Sequence, residues 1–180
     1  MVIFMAGYPY SGKTFVVELL KAAIPEVQVV SPKLLLERDS EYEKLEEEEK
    51  HKRSIAAWDV TLQYLQKEAC ADPKGILLYD SCCASYQVMD RVFRKLKKHK
   101  HRIIYTYVHA SIERIKARAG AKFDEGVIDK YTRSFEESVA HLGGLADWKV
   151  VIKNDSDERP NISKLLKVIH GNATNTTKDG

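Results

Sequence analysis

Cysteine is scarce in this chain: three residues, Cys70, Cys82 and Cys83, an odd number without metal-ligand spacing. That excludes a disulfide scaffold and a structural zinc module. The vicinal Cys82 and Cys83 read as small residues after a strand. No apolar run reaches the roughly 20 residues that span a bilayer. The apolar start runs directly into a glycine loop, so no signal peptide is expected. A reducing cytoplasm is therefore the expected setting, and the Asn-x-Ser/Thr patterns at Asn161, Asn172 and Asn175 read as accidental. Neither sign of charge dominates. Lys and Arg number 29 against 26 Asp and Glu, a net +3 that admits a nucleic-acid partner without requiring one. Proline is also sparse, and Pro25, Pro32 and Pro73 fall where helical patterns stop or begin.

What is present suits one globular domain. The chain has 180 residues and is 44% hydrophobic, enough to bury a core without staples. Apolar runs alternate with helical patterns, which predicts βαβ units and a parallel sheet. Strands are expected at Val2–Ala6, Val27–Val30, Ile76–Tyr79, Arg102–Val108 and Lys149–Ile152. Helices are expected at Lys13–Ala23, after the Ser31-Pro32 cap, and over Lys52–Ala71, with Ile55, Trp58, Leu62 and Leu65 on the inner face. Further helices are expected over Tyr86–Lys98, from Ser111 to a break near Gly120, from Gly126, and over Asn161–Ile169. The domain is placed at residues 1–170, with a polar, disordered tail at 171–180.

The stretch Gly7-Tyr8-Pro9-Tyr10-Ser11-Gly12-Lys13-Thr14 matches G-x-x-x-x-G-K-S/T at every fixed position, and it sits between a strand and a helix. Its two glycines let backbone N–H groups turn inward onto an anion, and the helix that follows adds its own unpaired N–H groups and dipole. All eight residues are therefore candidates for binding a nucleoside triphosphate, with Lys13 on the β/γ-phosphates and the Thr14 hydroxyl on Mg²⁺.

In a parallel sheet the ligand lies at the carboxyl ends of the strands. That rule gathers the loop, Ser31, Asp80 and His109 at one edge. Asp80 ends an apolar strand and is the candidate second Mg²⁺ carboxylate, assisted by the Ser81 hydroxyl. Arg114 and Arg118 lie four apart on one helix face, just before the small-residue segment Ala119 to Gly126. That segment is expected to act as a lid, with these arginines stabilising the phosphoryl group in transit and Lys122 as a weaker candidate. Asn154-Asp155 closes the fifth strand, and Asn154 is placed at the base pocket.

The chain resembles the small kinases related to polynucleotide kinase and the zeta-toxin-like enzymes. The resemblance rests on GYPYSGKT, on ILLYDS and on VHASIERIKARAGAKFDEGVIDKYTRSFEES, and covers most of residues 1–170 in layout. The last segment is similar to the family's strand, helix, arginine lid and following helix, at Arg114, Arg118, Val127 and Ile128. The resemblance implies a three-layer α/β fold with a five-stranded parallel sheet in the order 2-3-1-4-5. It also implies transfer of the ATP γ-phosphate to a hydroxyl, with Mg²⁺. One departure stands out. The family usually carries a catalytic Asp after the second strand, whereas this chain has Ser31-Pro32-Lys33-Leu34. The base is then expected to be Asp80, Glu37 or Asp39, or else the substrate differs from that of typical relatives, and Lys33 is a candidate for holding an acceptor phosphate.

Three readings of the acceptor follow. The first is a hydroxyl on nucleic acid, either a 5′ end or a hydroxymethyl group on a modified base. It is motivated by the basic run Arg91–Arg102 and by Tyr8 and Tyr10, which offer stacking faces. The second is a small molecule such as a nucleoside, nucleotide or sugar. The third is a nucleotide-binding module without transfer activity, with the acidic run Glu41–Glu49 as a partner surface.

Overall fold

The computed structural model describes residues 1–81, 86–123 and 125–171. Of the expected tail, 171–180, all but Gly171 lies outside the described residues, as do Cys82 and Cys83. Five strands form one parallel sheet: β1 (Val2–Ala6), β2 (Gln28–Val30), β3 (Leu77–Asp80), β4 (Ile103–His109) and β5 (Trp148–Lys153). Their order is β2-β3-β1-β4-β5, as the resemblance implied. The register sets Met5 beside both Asp80 and Thr106. The loop after β1 therefore emerges between the ends of β3 and β4.

A parallel sheet is covered on both faces, so its strands are apolar nearly throughout. All five residues of β1 are buried. Val2 and Phe4 point to one face, where α3 (Glu47–Ala71), α4 (Tyr86–Lys98) and α6 (Glu125–Leu145) pack through Leu65, Phe93 and Leu142. Ile3 and Met5 point to the other, where α1 (Lys13–Ala23) and α7 (Ser163–Ile169) pack through Val16, Leu20 and Leu165. Leu20, Leu65 and Phe93 are fully buried, each contributing about 1.5–3 kcal/mol relative to exposure. Two short helices complete the fold, α2 (Pro32–Leu36) and α5 (Ile112–Ala119).

Two expectations need correction. The long helix begins at Glu47, five residues before Lys52. Glu47, Glu48 and Glu49 occupy its first turn, where the positive end of the helix dipole favours acids. They pair one turn on with Lys50, Lys52 and Arg53. The acidic run thus divides between a 3-10 turn, Tyr42–Lys44, and the first turn of α3, each held by local pairs. Its inner face is Ala57, Thr61, Leu62, Leu65 and Ala69, whereas Ile55 is exposed, because the helix packs through its second half.

The basic run also has a definite place. α4 descends antiparallel to the strands, so Lys95 to Arg102 gather at the start of β4. That is the sheet edge opposite the phosphate loop, a strand of about five residues or roughly 17 Å away.

Candidate active site

The loop is shaped by contacts that leave no room for side chains at its glycines. A Cβ on Gly7 would lie 2.6 Å from the Val108 carbonyl oxygen and 2.7 Å from Ser11 Oγ. Gly12 has φ 95°, and a Cβ there would strike the Asn154 amide. Gly12 is also the residue before α1, so the helix has no side-chain cap and no acid in its first turn. Its N–H groups are left for an anion. Tyr10 takes φ 62°, the left-handed region, which closes the turn together with the Ser11 N–H donating to the Tyr8 carbonyl at 3.1 Å.

Lys13 Nζ folds back over this loop and donates to the carbonyls of Gly7 at 2.7 Å and Tyr8 at 2.8 Å. The ammonium thus sits in the loop's concavity, where the resemblance places the β/γ-phosphates. Thr14 is exposed in the first turn of α1. Pro9 and Tyr10 form the outer turn, with Tyr10 exposed.

The loop is tied to the far side of the sheet through one buried residue. Asn154, 6% exposed, donates from Nδ2 to the Ser11 carbonyl at 2.8 Å, and its backbone N–H donates to the His109 carbonyl. Arg118 grips the same unit. Its guanidinium donates to the carbonyls of Ser11 at 3.3 Å and Tyr10 at 3.4 Å, and to Asn154 at both O and Oδ1. Arg114 is directed elsewhere. It donates to the Asp155 carbonyl at 3.0 Å and pairs with Asp157 at 2.5 Å, fastening α5 to the segment after β5. The Ser111 hydroxyl caps α5, and the Ser111 N–H donates to Asp155.

Asp80 ends β3 at the same edge. Burial pushes its carboxyl above the usual carboxylate range, and the charges of Lys13 and Lys33 pull it back in part. Lys33 also lies 3.4 Å from Glu37, one turn on in α2. Asp39 is engaged with Arg53 at 2.7 Å and with the Glu41 N–H at 3.1 Å, an arrangement that pins the entry to α3. Ser31 precedes α2 and is buried, but its hydroxyl makes no cap hydrogen bond. Lys122 is exposed in a single 3-10 turn, Gly120–Lys122, between α5 and α6. Nothing is described of the Val127 and Ile128 side chains.

Fit to a phosphate and a divalent cation can be judged from the residues themselves. Ser11 Oγ and Ser81 Oγ are buried without a hydrogen-bond partner among the described residues. Ser11 Oγ lies against Gly7 in the cradle and Ser81 follows Asp80 in the chain, and a hydroxyl in such a place suits an oxyanion or a metal-bound water. The donor set of Thr14 hydroxyl and Asp80 carboxylate is all oxygen, as Mg²⁺ requires. No cluster of three His, Cys, Asp or Glu that could hold a metal ion exists among the described residues.

Two features escaped sequence reasoning. Besides its expected place at the base pocket, Asn154 tethers the phosphate loop through its side chain. The second is an aromatic cluster: Tyr8 stacks on Phe135 at 4.8 Å between ring centroids, and Phe135 meets Tyr107 at 5.5 Å. The three residues lie far apart in sequence, and only Tyr107, on a strand, had a readable facing.

The model of the family described as AAA domain matches residues 2–138. No curated protein sequence matches. Among solved structures, the fold is similar to one from the PezAT chromosomal toxin-antitoxin system of Streptococcus pneumoniae. That match has 14% identity and a TM-score of 0.64, and covers 89% of this chain and 69% of that one. It is similar to a kinase-like protein of Chloroflexus aurantiacus at 12% identity and TM-score 0.64, covering 94% and 93%. It is also similar to shikimate kinase from Acinetobacter baumannii at 14% identity and TM-score 0.57, covering 95% and 93%. At these identities the likeness concerns the fold: a P-loop kinase architecture of five parallel strands between helices.

Proposed function

We propose, from the premise that this chain belongs to the AAA domain family, that it is an ATP-dependent phosphotransferase acting on a hydroxyl group. The observation that carries the reading is the placement of Lys13 Nζ inside the glycine cradle, with Asp80 close enough for the two charges to interact. The loop N–H groups and Lys13 bind the triphosphate, and Thr14 and Asp80 are the residues that would hold Mg²⁺. When bound, that ion neutralises charge on the β- and γ-phosphate oxygens.

The acceptor oxygen bonds to the γ-phosphorus as the bond from that phosphorus to the ADP oxygen breaks. The hydroxyl proton passes to a carboxylate. Asp80 is the best placed of the three candidates, because it ends β3 at the loop's edge, whereas Asp39 is committed to Arg53 and Glu37 pairs with Lys33. Arg118 stabilises the transferring group from its position on the loop, and Lys33, Ser31 and Ser81 face the acceptor at the ends of β2 and β3. Arg114 supports this arm by fixing α5. The segment from Ala119 to Gly126 closes over the site and excludes water, so hydrolysis without acceptor is slow.

The preferred acceptor is a hydroxyl of nucleic acid, at a 5′ end or on a modified base such as 5-hydroxymethyluracil. A small nucleoside-like metabolite is the second reading. It is favoured by one observation: the basic run lies at the sheet edge away from the loop, so it does not guide a polymer into the site.

The test is transfer from γ-labelled ATP to 5′-hydroxyl DNA and RNA, DNA containing 5-hydroxymethyluracil, and free nucleosides, with Lys13→Ala as control. Label on a polymer supports the first reading, and label on nucleosides alone supports the second. No label on any acceptor, with ATP still bound, would leave a nucleotide-binding module.

A further inference from the structure

Beside the phosphate loop is a half-open cavity of about 390 Å³, lined by the end of β4, α5 and the middle of α6. Its volume falls in the range of small-molecule sites, about 300–1,000 Å³. One wall is aromatic: Tyr8, Tyr107 and Phe135. The polar groups are few and set around it: His109, Glu136 and Lys149. His109 Nδ1 lies 3.4 Å from Asp155 Oδ2, without a hydrogen-bond partner among the described residues. An aromatic wall with a sparse polar edge suits a flat, heteroatom-bearing ring better than a sugar, which needs hydrogen bonds over its whole perimeter.

Tyr8 belongs to both sites. Its ring lines the cavity and its carbonyl accepts from Lys13 Nζ. β1 alone separates β4, at the cavity, from β3, which ends in Asp80. Two strand spacings are roughly 10 Å, a span that a nucleoside and the phosphoryl group it receives cover together.

From this arrangement, and resting on the phosphotransferase reading, we infer that the cavity between β4, α5 and α6 holds the nucleobase of the acceptor. The hydroxyl to be phosphorylated then points across β1 toward Asp80. The base comes from a free nucleoside or from a single unstacked nucleotide of a strand, since a base must leave its stack to lie against the aromatic wall.

The test is calorimetric titration with thymidine, uridine, oligo-dT and glucose into full-length protein saturated with a non-hydrolysable ATP analogue. Wild type is compared with Ala140→Trp and Ile112→Trp, which fill the cavity from α6 and α5. Both positions are exposed, so at least one variant should fold. Binding of thymidine or uridine, weakened about tenfold or more by a filling variant that still binds the ATP analogue, is expected. Equal or tighter binding of oligo-dT would assign the base to a strand, and binding of free nucleosides alone would assign it to a metabolite. Failure of every nucleoside and oligonucleotide to bind, glucose binding in their place, or nucleoside binding unchanged in both folded variants would overturn the inference. If nucleosides bind and are lost on filling but no label is ever transferred, the phosphotransferase reading fails while the nucleobase site stands.

Discussion

Arg118 donates to Asn154 twice, to the backbone carbonyl at 3.0 Å and to the side-chain Oδ1 at 3.2 Å, while Asn154 itself holds the Ser11 carbonyl. The arginine proposed to act on the phosphoryl group is therefore also a brace for the loop that binds it. Arg118→Ala is expected to lower kcat about 10²-fold, as for loss of one transition-state donor, with a smaller change in ATP affinity. Steady-state kinetics beside equilibrium ATP binding check this, and equal losses in both would contradict a transition-state role.

Asn154→Ala removes the buried tether and leaves the Ser11 carbonyl to Arg118 alone. Loss of a hydrogen bond costs about 0.5–1.5 kcal/mol, so a drop in thermal midpoint is expected together with weakened ATP binding. Asn154→Asp retains the acceptor for Arg118 but removes the amide donor. It should restore less of the ATP affinity than of the stability.

Gly12→Ala faces two penalties at once. The left-handed backbone at φ 95° costs a side chain about 1–2 kcal/mol, and the new Cβ meets the Asn154 amide. The expected result is loss of ATP binding with a modest fall in stability, measured by nucleotide titration and thermal melting.

Asp80 sets a pH dependence whose sign follows from its burial. Its native carboxyl lies above the unfolded value, so the folded state prefers the proton. That contribution to stability is fully present below the ordinary Asp range near 3.9 and is lost as pH rises through the raised native value. Asp80→Asn removes the cost of ionisation. At neutral pH without nucleotide it should melt at or above wild type, while turnover falls about 10²-fold or more. Wild-type kcat/KM should fall on the acid side at a pH above that of an ordinary carboxylate.

Asp90 gives the opposite sign. Hydrogen bonds from Arg94, and then from His141 at 2.7 Å, pull its carboxyl down to about 2. The His141 contact joins α4 to α6, so this stabilisation is present above the ordinary Asp range near 3.9 and lost as pH falls toward about 2. Asp90→Asn should therefore narrow the gap to wild type as melts are taken to lower pH.

The sequence by itself determined the strand count and the phosphate loop. Continuous apolar runs, a glycine-rich turn and the following helix are local signals, and parallel strands buried on both faces write them plainly. The match at Gly7 to Thr14 and the carboxylate at Asp80 were readable for the same reason. Helix ends were less so: the start of α3 at Glu47 depends on acids at a helix terminus, a pattern that also describes a solvated charged loop. Tertiary structure alone decided which arginine reaches the loop. Arg114 and Arg118 are one helical turn apart, yet one braces the loop and the other fastens α5 to the chain after β5, because that segment passes one turn away. The role of Asn154, the cavity behind Tyr8 and the remoteness of the basic run from the site are likewise products of chain crossing. Each joins residues tens of positions apart, and such pairings leave no period or spacing in a single sequence.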